Sequence, residues 1–227
     1  AYQSENSGIV ESQFEMLKKL ELSPEEHKEI ADYCSQVGVT YLCTPFDEES
    51  ADMLVRLGVP AFKLGSGELT SLPLLSHIAA YDLPIILSTG MSYLGEVEEA
   101  VRTIQGNGNS EIILLHCVSN YPADPAQVNL RAMKTLEVAF DLPVGYSDHT
   151  LGNEVGIAAV ALGAKVIEKH FTLDRALPGP DHKASLEPSE LAEMIRQIRT
   201  VESAIGNGVK IPALDEQNTA KVARKSL

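Results

Sequence analysis

Short apolar runs alternate with amphipathic stretches along nearly the whole chain. The apolar runs read as strands at Thr40–Phe46, Ala61–Gly65, Pro84–Thr89, Glu111–Val118, Pro143–Ser147 and Lys165–His170. Each is bounded by turn residues, and each is close to continuously apolar, the pattern of parallel strands buried on both faces. Between them the apolar spacing shifts to the helical period. Ser23-Pro24-Glu25-Glu26 forms a capping box with Pro at the first helical position, so a helix is expected to about Gln36, closed by Gly38. Asp47 is placed to cap Glu48–Leu57, with Gly58 ending it. Further helices are expected at Val10–Leu20, Leu72–Tyr81, Gly95–Gln105, Ala126–Phe140, Asn153–Leu162, Glu187–Ile205 and Asp215–Lys225, while Ala1–Gly8 reads as a loop.

Strands recur every ~20–30 residues, the spacing of βα units. The pattern fits either a doubly wound six-stranded sheet or a (β/α)8 barrel lacking two strands at its start. No linker or low-complexity segment divides the chain. Residues 1–212 form one unit, and 213–227 read as the edge of a domain.

Composition adds limits. The net charge of −14 disfavours nucleic acid and anionic membranes as partners. Any anionic substrate would need positive groups concentrated locally. The three cysteines, Cys34, Cys43 and Cys117, have no paired or zinc-type spacing. They read as buried free thiols of a reducing, cytoplasmic compartment. No apolar run is long enough to span a bilayer, and no signal peptide is visible.

In parallel α/β folds, chemistry gathers where strands end. The strand ends here are unusually polar: Thr44; Lys63 with Gly65-Ser66-Gly67-Glu68; Ser88-Thr89-Gly90; His116 through Tyr121; Ser147-Asp148-His149; Glu168 and His170; then Arg175 and Asp181 in the next loop. Lys63 lies inside a buried strand pattern. It is either paired with Glu68 or another barrel carboxylate, or it is an anion clamp at the mouth. The flanking Gly-Ser-Gly favours the clamp, because glycine lets exposed N–H groups approach a phosphate or carboxylate. His149 and His170 end consecutive strands, which lie ~4.8 Å apart. If both point inward, their rings can share one divalent ion with open positions for substrate oxygens. His116 reads equally as structural or functional. His27 and His77 read as surface residues on helices.

The stretches TPF (Thr44–Phe46), AFKLGSGE (Ala61–Glu68), PIILSTGM (Pro84–Met91), LLHCVSNYP (Leu114–Pro122), GYSDHTLG (Gly145–Gly152), ALGAKVIEKHFTLDR (Ala161–Arg175) and PGPDHKASLEP (Pro178–Pro188) together resemble the sialic acid synthase family, which includes legionaminic and pseudaminic acid synthases. The resemblance implies a TIM barrel, here without its first two strands and without the antifreeze-like domain that would follow residues 213–227. It implies condensation of phosphoenolpyruvate with N-acetylmannosamine or a related N-acetylated amino sugar. The products would be a nine-carbon ulosonic acid and phosphate. On that likeness Thr44, Lys63, Ser66, Ser88 and Ser147 hold phosphoenolpyruvate. His149 and His170 bind Mn²⁺, or Mg²⁺ or Co²⁺ in its place. Glu68 handles the proton or the attacking water, and Tyr121, Glu168 and Asp181 contact the sugar. Many members carry Asn ahead of the Tyr-containing turn. Here the run is Val118-Ser119-Asn120-Tyr121, so either Ser119 or Asn120 takes that contact. The resemblance also implies a homodimer. The rival readings are another phosphoenolpyruvate-condensing barrel that makes a 3-deoxy sugar acid, and a non-catalytic barrel fragment.

Overall fold

The computed structural model describes residues 13–224. The loop expected at Ala1–Gly8, the start of the helix expected from Val10 and the end of the one expected to reach Lys225 lie outside them. In chain order the helices are α1 (Gln13–Lys18), α2 (Pro24–Val37), α3 (Glu48–Leu57), α4 (Leu72–Ala79), α5 (Leu94–Gly106), α6 (Ala132–Phe140), α7 (Glu154–Ala161), α8 (Pro188–Ile205) and α9 (Glu216–Ala223). The strands are β1 (Phe62–Leu64), β2 (Ile85–Ser88), β3 (Ile112–Cys117), β4 (Val144–Asp148) and β5 (Ile167–Lys169). All pairings are parallel, in the order β1-β2-β3-β4-β5. Sequential parallel strands joined through helices are successive βα units of a barrel wall. A doubly wound sheet would reverse its strand order part-way, so the barrel reading stands, as a partial barrel.

Local chemistry explains the elements. The Ser23 hydroxyl accepts the Glu26 N–H at 3.3 Å, and the Glu26 carboxylate accepts the Ser23 N–H at 2.7 Å, completing the capping box of α2. Asp47 caps α3 by accepting the Ser50 N–H at 2.7 Å. Gly38 (φ 76°) and Gly58 (φ 79°) close those two helices in the left-handed conformation that glycine adopts without penalty.

Two expected elements are different in the structure. Thr40–Phe46 forms no strand, and the sheet has five strands rather than six among the described residues. Tyr41 and Cys43 pack on the core, but Leu42 and Phe46 stay exposed. The segment contains Pro45, which has no N–H for a ladder. The helix expected over Ala126–Phe140 is broken. Asp124 caps a single 3-10 turn, Pro125–Gln127, by accepting the Ala126 N–H at 2.9 Å. Asn129 then takes φ 51°, incompatible with a right-handed helix, so α6 starts only at Ala132.

Side chains alternate across each strand. One face packs Phe62, Leu64, Ile85, Leu87, Ile112 and Leu114 into a core with Leu54 of α3, Leu75 and Ile78 of α4, and Ile104 of α5. The other face carries Lys63, Ile86 and Ile113, only half-buried. Burial on both faces, expected from the apolar runs, therefore holds in part: on the second face Ser88, Leu115 and Cys117 are buried, while Lys63, Ile86 and Ile113 keep some exposure.

Candidate active site

The alternation sorts the candidates. The strand register aligns Cys117 with Ser147 and Ser147 with Glu168, so these three share a face with Lys63, Ser88, His149 and His170. That face is the inside of the barrel wall. His116, Tyr146, Asp148 and Lys169 point the other way.

On the inner face Lys63 Nζ donates to Ser88 Oγ and to the Leu64 carbonyl, each at 2.9 Å, and stands 3.4 Å from Glu168 Oε2. The counter-charge of Lys63 is thus Glu168, on the far strand, rather than Glu68. The other Glu168 oxygen accepts the Ser147 hydroxyl at 2.6 Å. Ser147 Oγ lies 3.4 Å from His149 Nε2. The His149 and His170 rings have centroids 5.6 Å apart, and Tyr121 contacts both, at 4.1 and 5.4 Å. One continuous cluster therefore contains Lys63, Ser88, Ser147, Glu168, His149, His170 and Tyr121.

His149 is oriented from behind. Its Nδ1 lies 2.7 Å from the Val118 carbonyl. A carbonyl only accepts, so Nδ1 carries the proton and Nε2 presents its lone pair on the side of Ser147. Burial pushes the imidazole below the ordinary histidine range, outweighing the Val118 carbonyl, which acts the other way; His170 nearby lowers it further. A neutral ring with one nitrogen tied to a carbonyl and the other presenting a lone pair is the form that ligates a metal. The residues present fit a divalent ion as a two-nitrogen donor pair. Among the described residues no group of three His, Cys, Asp or Glu side chains is assembled to hold one. Further ligands would come from water or substrate.

A second patch adjoins the first. The Gly90 N–H donates to Ser66 Oγ at 2.9 Å, and Ser66 Oγ lies 3.1 Å from Cys117 Sγ. A Cβ at Gly90 would sit 2.4 Å from Ser119 Oγ and 2.8 Å from both Cys117 Sγ and Ser66 Oγ, so only glycine fits. The patch joins Ser66 and Ser119. Ser119 faces it, whereas Asn120 is exposed. Cys117, which the sequence marks only as a buried thiol, is part of the wall. A cavity of about 590 Å³ opens beside this patch, lined by Thr89, Met91, Tyr93, His116, Cys117 and Arg131, and it contains neither imidazole of the inner cluster.

Among the described residues, Thr44, Glu68, Asn120 and Asp181 share no hydrogen bond with Lys63, Ser66, Ser88, Gly90, Ser147, His149 or Glu168. Glu68 ends the 3-10 turn Ser66–Glu68 immediately after β1. Asp181 precedes the turn His182–Ala184, with Oδ1 buried and without a hydrogen-bond partner. His116 is structural: its Nε2 donates to the Val128 carbonyl at 2.7 Å on the outer face. His27 and His77 are not free surface groups. His27 Nδ1 meets the Tyr41 hydroxyl, and His77 Nε2 meets Asp52, each at 2.6 Å. The sequence reading missed the pairing of Lys169 with Asp148, at 2.8 Å behind the imidazoles. Its signal was present, since each residue immediately precedes one of the two histidines.

Fold and cluster define the class: part of a parallel α/β barrel whose strand ends carry an ammonium, hydroxyls, a carboxylate and two neighbouring imidazoles. The chain belongs to the NeuB family, whose family model matches residues 1–210. It is 51% identical over 228 residues to N,N'-diacetyllegionaminic acid synthase of Campylobacter jejuni, covering 100% of this chain and 68% of that protein. The synthase of the same name from Legionella pneumophila is 48% identical over 230 residues, covering 100% of this chain and 65% of that protein. The crystal structure of N-acetylneuraminic acid (sialic acid) synthetase from Leptospira borgpetersenii, in complex with citrate, superposes with a TM-score of 0.87 at 33% identity, over 99% of this chain and 80% of that one. The chain thus spans about two thirds of the length of the two curated relatives.

Proposed function

We propose that this chain is the catalytic barrel portion of a synthase that condenses phosphoenolpyruvate with an N-acetylated amino sugar, giving a nine-carbon ulosonic acid and phosphate. The observation that carries the reading is the inner cluster. Lys63, Ser88, Ser147, Glu168, His149 and His170 meet at the strand ends of a chain half identical, along its whole length, to a named legionaminic acid synthase.

Lys63 and Ser88, with the Gly90 N–H, Ser66 and Thr44, bind the carboxylate and phosphate of phosphoenolpyruvate. Lys63 keeps little exposure, so an arriving anion replaces Glu168 as its partner with little further dehydration of the ammonium. His149 and His170 would hold the divalent ion, Mn²⁺ in the first instance, which supplies Lewis-acid polarisation of the open-chain sugar aldehyde. Tyr121, Glu168, Asp181 and Ser119 orient the sugar so that carbon 3 of phosphoenolpyruvate reaches the aldehyde carbon. Glu68 takes a proton from the water that adds at carbon 2, the former aldehyde oxygen gains one as the new hydroxyl, and the remaining water proton leaves with the phosphate. The C–O bond to phosphate then breaks and leaves the ketone.

Arg175 argues for an unphosphorylated acceptor. Its guanidinium is engaged by the Glu190 carboxylate and donates from Nε to the Ser185 carbonyl at 2.9 Å, so it does not stand free as a second phosphate clamp.

The test is phosphate release by the full-length protein from phosphoenolpyruvate with a panel of amino sugars. Release is expected only with N-acetylated sugars and only with a divalent ion supplied. Release with sugar phosphates alone would favour a 3-deoxy sugar acid synthase, and none with any acceptor would favour a non-catalytic module.

A further inference from the structure

Behind the two imidazoles, on the face turned toward the helices, lies an ion pair that the proposed chemistry does not use. Asp148 Oδ2 accepts from Lys169 Nζ at 2.8 Å, and the two side chains are 0% and 5% exposed. The register sets the two residues directly opposite each other, at the ends of β4 and β5. Asp148 Oδ1 also accepts the Thr150 N–H at 2.9 Å and the Thr150 hydroxyl at 2.7 Å. Lys169 Nζ completes the ring by donating to the Thr150 carbonyl. The backbone on both sides of His149 is thereby tied to the residue that precedes His170.

Burying two charges costs several kcal/mol of desolvation each, and well-packed apolar residues commonly do as well for stability. Helix α7 packs closely over this pair. A Cβ on Gly156 of α7 would stand 3.3 Å from Asp148 Oδ2 and 2.4 Å from Met194 Cε. Successive strand side chains point to opposite faces, so fixing Asp148 and Lys169 toward the helices fixes His149 and His170 toward the mouth.

We infer that the Asp148–Lys169 pair is a positioning device that sets the spacing and aim of the two imidazoles. The inference rests on the proposed role of those rings, yet it can be tested apart from it. The full-length protein is compared as wild type, as Lys169→Met, and as the neutral double variant Asp148→Asn/Lys169→Met, which removes the cross-strand link without stranding a buried charge. Lys134→Met, which breaks the exposed Lys134–Glu137 pair, is the control. Two quantities are read without substrate: Mn²⁺ affinity, and the imidazole ¹⁵N–¹H resonances of the metal-free protein.

The double variant should stay folded, bind Mn²⁺ on the order of 10–100-fold more weakly, and show displaced signals for His149 and His170. Lys169→Arg should restore much of the affinity, and Lys134→Met should match wild type. Wild-type affinity and unmoved resonances in a folded double variant would overturn the inference. If the wild type itself binds no Mn²⁺, the metal reading fails alone, and the resonances still decide whether the pair aims the rings.

Discussion

Ser66, Cys117 and Ser119 converge on Gly90 in the patch proposed to hold the anion. Adding one methyl there forces Ser66, Cys117 and Ser119 to shift together. Gly90→Ala is therefore expected to raise the KM for phosphoenolpyruvate at least tenfold and to lower stability by ~1–3 kcal/mol, read by steady-state kinetics and urea denaturation. Glu68 makes a different prediction, because its side chain is hydrogen-bonded to neither Lys63 nor Ser66. Glu68→Gln should reduce kcat by ~100-fold or more with phosphoenolpyruvate binding unchanged by calorimetry; normal turnover would remove Glu68 from its role. His116 predicts a pH effect. Burial lowers its pKa below the ordinary 6.5, against the opposing Val128 bond. The unfolded state then takes up this proton more readily than the folded one, so the stabilisation from the neutral ring is whole above pH ~6.5 and declines as pH falls below it. Denaturation midpoints should drop from pH 7 to 5, and His116→Gln should flatten part of that slope.

At the scale of elements, caps were legible from the sequence because they are local. The Ser23 box, Asp47 and the two closing glycines act within four residues of the helix ends they set. Helix α2 has no buried residue, and Ile30, Tyr33 and Val37 are exposed along it. Its cap accordingly matters more to it than to the rest of the molecule. Ser23→Ala should cost ~1 kcal/mol locally, seen as faster amide exchange across Pro24–Val37 with little change in the global unfolding midpoint. Thr40–Phe46 and Ala126–Phe140 depart from the local pattern for the opposite reason. An apolar run becomes a strand only when a neighbour supplies ladder bonds. A helical period continues only where each φ allows it, and Asn129 at φ 51° does not.

At the scale of the whole molecule, the −14 charge and the lysine at the site fit together. The surface field opposes anions, so the anionic substrate proposed above would depend on the largely buried Lys63 and on Ser88 beside it. The sheet has edges at β1 and β5 among the described residues, and Val39, Leu42, Phe46, Phe171 and Leu173 are exposed at that scale. Uncovered parallel edges and apolar patches promote association. Sedimentation velocity on the 227-residue chain by itself is expected to show concentration-dependent association; a sharp monomer at all concentrations would show these surfaces to be covered.

The sequence by itself determined the βα repeat, the helix caps, and the strand ends that carry reactive groups, because each is written in local spacing of apolar, polar and turn residues. It also placed His149 and His170 at consecutive strand ends. Only the tertiary structure decided that Lys63 is paired with Glu168 rather than Glu68, that His116 faces away from the mouth, and that Asp148 and Lys169 brace the imidazoles. These are contacts across residues far apart in the chain, fixed by parallel register and by which face of each strand meets the helices, and no local pattern encodes them.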